Sequence, residues 1–281
     1  MAARKTAVAK PKPNPFDPNA LADQMAELSG VGLENTQPED LLIPQLKIVQ
    51  SGSQETKPRN SKYMEGAKEG DLIDSQMGIN YGDQVEFLPV LFRKEWVEWF
   101  PRESNKGIAR THESSDILAQ CKQSAENNAW YLPSGNQVVE TYVFYGFILN
   151  EKYELHESFI AMSGMQLKKA RKWISISNGL RAQDSKGNTF RPPMFYQSYF
   201  LGVQPEQNAR GDWVGWVIAP GRTLGGIIQS SKGKIPADGL LENIKAFSET
   251  AKIRAATTAL LESPENDSAE PGEGNADDIP M

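Results

Sequence analysis

The stretch from Val138 to Leu149, Val-Val-Glu-Thr-Tyr-Val-Phe-Tyr-Gly-Phe-Ile-Leu, leaves this chain little choice of architecture. Read with the two-residue period of a strand, one side carries Tyr142, Phe144 and Ile148. The other carries Val143, Tyr145, Phe147 and Leu149. A strand that is apolar on both sides must be covered on both, so it belongs at the centre of a sheet. Leu155 to Met162 is its expected antiparallel partner. Val85 to Phe100 predicts a second long strand, in which Arg93, Glu95, Val97 and Trp99 alternate with Lys94, Trp96, Glu98 and Phe100. Further strands are expected near Leu41 to Gln50 (with Pro44 at an edge), at Asp71 to Ile73, at Met194 to Val203 and at Trp213 to Ala219.

Helix signals are fewer. Asn19 could cap a short helix over Ala20 to Leu28. Ser163 is the expected cap of a longer one, Met165 to about Asn178, stopped by Gly179. On it Leu167, Ala170 and Ile174 share one face, and Lys168, Arg171 and Lys172 another. A final helix is expected from about Leu240 to Leu261. Residues 51–70 and 101–137 read as polar elaborations, the second with a helix across Ser115 to Ala125, and Gly221 to Lys234 as a flexible loop. Several strands, a late helix, two strands and a terminal helix predict an α+β, β-rich body. Its expected form is an elaborated OB-fold-like barrel with an inserted helix and a C-terminal helix. That body spans 39–261, between a flexible basic, Pro-rich arm at 1–38 and a disordered acidic tail at 262–281.

Charge sharpens the division. The formal charge is −6, yet seven acids from Glu262 to Asp278, with no Lys or Arg among them, contribute −7. The remainder has 29 acids against 30 bases, about +1. A near-neutral body binds a polyanion only where its positive charge is clustered. One cysteine, Cys121, permits no internal disulfide and no cysteine-based metal site, as in a reducing cytoplasm. No signal peptide or membrane-spanning run is recognisable, so a cytoplasmic protein without membrane partners is expected.

Clustered charge occurs in two places. Residues 165–191 hold Lys168, Lys169, Arg171, Lys172, Arg181, Lys186 and Arg191 against Asp184. Trp173 lies inside that segment, with Phe190, Phe195, Tyr196, Tyr199 and Phe200 close by. The second mixture is Arg93, Lys94, Trp96, Trp99 and Phe100. Sequence-independent binding of a nucleic-acid strand needs cations along the backbone and rings on which bases stack. The candidate binding residues are therefore Arg93, Lys94, Trp96, Trp99, Lys168, Lys169, Arg171, Lys172, Trp173, Arg191 and Tyr196. Arg222, Lys232 and Lys234 of the glycine-rich loop join them as backbone clamps. That loop fails the phosphate-loop pattern, since Ile235 follows Gly233-Lys234. His112 and His156 form no metal motif, and neither Glu95/Glu98 nor Glu154/Glu157 lies beside a nucleophile. No enzyme, cofactor or metal is expected.

The chain closes on Asp277, Asp278, Ile279, Pro280 and Met281, directly after the acidic run. Two carboxylates, a stiff Ile-Pro step and a terminal carboxylate beside an apolar side chain make a compact docking peptide. This ending resembles the C-terminal tip of bacterial single-stranded-DNA-binding proteins, with Met281 where that family carries Phe. Ser-Gly-Met-Gln-Leu-Lys-Lys-Ala-Arg-Lys-Trp, from Ser163, is similar to segments of phage-encoded single-strand binders. The resemblance implies a phage-encoded, non-enzymatic protein of DNA replication, recombination or repair. Its body would hold single-stranded DNA, and its tail would compete with DNA and recruit replication or recombination proteins through residues 277–281. A homo-oligomer is compatible with this. Two alternatives stay open: a strand-annealing recombination protein, and a scaffold protein whose acidic tail serves solubility.

Overall fold

The computed structural model describes residues 42–255, except 75, 105, 209 and 210, together with scattered positions from 25 to 35. The chain divides into two units after Leu41. In the first, Met25 and Glu27 are helical and exposed. The basic arm's lysines, the acidic tail and its tip at Asp277–Met281 lie outside the described residues, as does the end of the expected terminal helix.

The second unit opens with β1 (Leu46–Ile48), β2 (Leu72–Asp74) and β3 (Ile79–Asn80), a small antiparallel sheet. β4 (Gln84–Trp99), β5 (Ile108–His112), β6 (Lys122–Gln123), β7 (Trp130–Tyr131), β8 (Gln137–Leu149) and β9 (Leu155–Ser163) follow. Then come α1 (Leu167–Gly179), a hairpin of β10 (Ala182–Gln183) and β11 (Thr189–Phe190), and the long pair β12 (Gln197–Asn208) and β13 (Gly211–Thr223). α2 (Leu224–Ser230) and α3 (Ala237–Ala255) end it.

β4 and β8 form a ribbon, with Glu86 opposite Leu149 at one end and Trp99 opposite Gln137 at the other. At the first end the antiparallel order is β13-β12-β4-β8-β9. At the second, β5 flanks β4 and β7 flanks β8. Pro89 lies inside β4, where it has no N–H for the ladder. The register slips between Pro89 and Leu91, opposite Gly146. A Cβ on Gly146 would stand 2.2 Å from the Leu88 carbonyl oxygen, so only glycine lets the ribbon close at that bulge.

As expected, β8 is central and buried on both faces. Tyr142, Phe144 and Ile148 pack with Phe87, Ile160, Met162, Tyr199, Leu201 and Trp216, under Ala170 and Trp173 of α1. Val143, Tyr145, Phe147 and Leu149 pack on the other side with Leu240, Ile244 and Phe247 of α3. A third cluster, Trp96, Ile117 and Val138, fills the far end. The body is β-rich and antiparallel with few helices, but among the described residues no ladder joins β13 to β9, so the sheet is not a closed barrel. Residues 44–50 cross that gap instead. Phe159 N–H donates to the Pro44 carbonyl at 2.9 Å, while the Gln50 side chain bonds Val214.

Three local expectations are corrected. Ser115 to Ala125 is a 3-10 turn over Ser115–Gln120 followed by β6, because Ser114 caps only a tight turn onto Asp116. Ser163 precedes α1 through a 3-10 turn and makes no side-chain cap bond. Gly221 to Lys234 is not one loop: it finishes β13 and forms α2, whose Thr223 hydroxyl accepts from Gly226 N–H at 3.1 Å.

Candidate nucleic-acid interface

α1 forms because its apolar positions return at helical spacing: Ala170 and Trp173 are buried, with Leu167 and Ile174 against the same cluster. The opposite positions, Lys168, Arg171, Lys172, Ser175 and Asn178, make an exposed stripe along the helix. Lys168 and Lys169 sit in the first turn, and no acid accompanies them. A cation there opposes the helix dipole by about 0.3–1 kcal/mol, a cost that falls on Lys168, since Lys169 is paired with Glu206.

The two sequence clusters meet at Glu140. Lys94 of β4 faces Tyr142 of β8, and Trp96 faces Glu140. Glu140 receives Lys94 Nζ at 2.6 Å and the Arg171 guanidinium at 3.5 Å. Lys94 Nζ also lies 4.8 Å from the Trp96 ring centre and 5.8 Å from that of Tyr142, while Arg171 lies 5.9 Å from the latter. A hydrogen bond with Tyr142 holds the Arg171 guanidinium even more firmly charged than usual. Two cations from distant segments therefore converge beside aromatic rings, with one carboxylate between them. A phosphate oxygen could replace that carboxylate without rebuilding the site.

Other candidates are placed differently. Trp173 has no exposed surface: it stacks on Phe144 at 4.1 Å and meets Tyr199 edge-on at 5.3 Å. Both ring faces are covered, which corrects its assignment as a base-stacking residue. Trp96, only 8 % exposed, is likewise mainly core, its contact with Lys94 aside. Lys169 is tied to Glu206, which also accepts from Trp213 Nε1 at 2.8 Å, so it joins α1 to the β12–β13 hairpin. Gly215 leaves the room for that pair, since a Cβ there would stand 2.4 Å from Lys169 Nζ.

Arg93 points to the opposite face of β4. It pairs with Glu95 at 3.2 Å and with Glu113, and donates to the Lys252 carbonyl of α3 at 3.1 Å. Burial, partly offset by Arg93, pushes the Glu95 carboxyl up to about 7. Arg222 pairs with Glu86, and both Arg222 and Lys234 lie over the Tyr153 ring, at 5.6 and 5.7 Å. Arg191 and Lys232 are exposed; Trp99 and Tyr196 are half-buried. The structure thus brings Lys94, Lys168, Arg171 and Lys172 to one side. Arg93 is on the opposite face of the sheet, and Arg222 and Lys234 gather around Tyr153.

Glu140 and Tyr142 were absent from the sequence-derived site. Only cross-strand register reveals them, and nothing local to their segment signals it. Among the described residues, no cluster of His, Cys, Asp and Glu is arranged to hold a metal ion, and no helix is long and apolar enough to cross a membrane.

A β-rich antiparallel body with a basic helix laid on its sheet defines the class of protein. The chain belongs to the Pam3 phage gp34-like protein family, whose model matches residues 11–251, so it is a phage-type protein. No curated protein and no solved structure matches it.

Proposed function

We propose that this protein binds single-stranded DNA without regard to sequence during phage DNA replication or recombination. The observation that carries the reading is the convergence of Lys94 and Arg171 on Glu140, beside Tyr142 and Trp96. The two exposed cations suit the phosphates of a flexible strand, while Tyr142 and Trp96, each 8 % exposed, back the cations rather than stack on bases. Membership of a phage family and the Asp277–Met281 ending support the same reading. The five-stranded end, β13-β12-β4-β8-β9, with residues 44–50 across its gap, is read as an open variant of the OB-type architecture. The acidic tail competes for the basic side when DNA is absent, and its tip recruits replication or recombination proteins when DNA displaces it.

The test is a titration of the purified chain with oligo-dT and with a duplex of equal length, followed by tryptophan fluorescence at several salt concentrations. Tight binding to the single strand, a weaker response to duplex and a steep loss of affinity with salt are expected. Equal affinity for duplex, or no binding with the tail removed, overturns the reading.

A further inference from the structure

Between α1 and β12 the chain leaves the body as the β10–β11 hairpin, with Ala182 opposite Phe190 and Gln183 opposite Thr189. Arg181 and all of residues 183–191 are exposed. A two-stranded hairpin that buries so little is marginal by itself. This one is held by its turn. The Asp184 carboxylate accepts from Lys186 N–H at 2.8 Å, from Asn188 N–H at 2.9 Å and from the Asn188 side-chain amide at 3.0 Å. Those bonds, led by the Asn188 side chain, keep Asp184 below the usual carboxylate range. Gly187, at φ +81°, supplies the left-handed step of the turn.

The turn's only acid, though exposed, is thus taken up by the N–H groups of the turn itself. Lys186 stands at the tip and Arg191 follows the second strand, both exposed. Arg181 is anchored by its Nη1 to the carbonyls of Leu180 at 2.7 Å and Asn178 at 3.0 Å, at the end of α1. Between them Phe190 is 43 % exposed, an apolar ring that packing does not account for. The hairpin follows α1 directly in the chain; on that helix Lys168, Arg171 and Lys172 span about 6 Å of its first turns, and Arg181 stands just past its end.

We infer that the β10–β11 hairpin is a second contact for the nucleic-acid strand. In it Phe190 takes an unpaired base, while Arg181, Lys186 and Arg191 take phosphates. This rests on the single-strand reading above and extends it to residues outside the Lys94–Arg171 convergence. Charge complementarity requires a polyanion, and the exposed ring favours one with unstacked flat groups over an acidic peptide. A duplex offers Phe190 no base face.

The experiment uses the full chain, the triple variant R181A/K186A/R191A and the single variant F190A, each titrated with oligo-dT at several salt concentrations. Thermal melting checks that the folds are equal. Three lost phosphate contacts should flatten the slope of log K against log[salt] by about 2, at about 0.7 per contact on a single strand. F190A should weaken binding about 5- to 150-fold with the slope unchanged. If the wild-type chain binds and both variants match it, the hairpin contact is refuted while the single-strand reading stands. If the triple variant binds more tightly, the hairpin holds the chain's own acidic tail instead, which also overturns the inference. A wild-type chain that does not bind removes the single-strand reading itself, and this inference with it.

Discussion

Gln50 and Val214 exchange two hydrogen bonds of 2.9 Å, the Gln50 amide nitrogen donating to the Val214 carbonyl and the Val214 N–H donating to the amide oxygen. A side chain here takes the place of a neighbouring strand. Val214 lies on β13, the edge of the main sheet, and an unpaired edge is a template for association with another chain. Gln50→Ala should therefore cost about 1–3 kcal/mol, the usual penalty for leaving buried backbone groups unsatisfied. It should also raise self-association. Urea unfolding and light scattering read the two effects, and a variant unchanged in both would show the amide to be incidental.

Trp173 is at the centre of the core under α1, between Phe144 and Tyr199. Trp173→Ala should lower stability by about 3–5 kcal/mol. Trp173→Phe, a milder change, should keep the fluorescence response to oligo-dT, because a covered ring contributes nothing to it. Loss of the response in a folded Phe variant would return Trp173 to the binding site.

Glu95 gives the fold a pH dependence. Its carboxyl is raised from the usual range, about 4.3 in an unfolded chain, to about 7 by burial, against the pull of Arg93 and with help from Glu113. Between those values the folded state holds a proton that the unfolded state has released, so stability falls as pH rises. This contribution is complete below about pH 4.3 and gone above about pH 7. Glu95→Gln should flatten the decline, which melting temperatures measured from pH 4.5 to 7.5 would reveal. An unaltered profile would exclude Glu95 as its source.

Glu140 neutralises the cations that the proposed function needs. Glu140→Gln should leave Lys94 and Arg171 available to phosphate and tighten oligo-dT binding several-fold at low salt, with the gain fading as salt screens it. Weaker binding would mean that Glu140 positions the two cations rather than competing with phosphate for them.

Deletion of residues 262–281 should act in the same direction on affinity while abolishing recruitment of partner proteins. Binding at low salt and pull-down of host replication proteins separate the two roles. Unchanged affinity would remove the competition and leave the docking tip.

Much of this architecture follows from short-range pattern. The two apolar faces of Val138 to Leu149 required a central strand, and β8 is covered by α1 on one side and α3 on the other. The spacing of Leu167, Ala170 and Ile174 likewise placed the exposed cations of α1 correctly, because a helix repeats every few residues and its faces are written locally. The same local view reads Gly221 to Lys234 as loop from its glycines, whereas the chain there completes β13 and forms α2 behind the Thr223 cap. It also could not separate stacking rings from core rings. Trp173 and Phe190 look alike in a basic, aromatic segment, yet one is sealed and the other is 43 % exposed. Burial depends on what another part of the chain lays over a ring. The meeting of Lys94 with Arg171 at Glu140 is of that kind too: it exists only because the register of β4 on β8 sets Lys94 beside Tyr142 and α1 packs across that face. By itself the sequence determined the period, polarity and charge of each element. Tertiary structure alone decided which cations are neutralised and which rings reach solvent, because both depend on contacts between residues far apart in the chain.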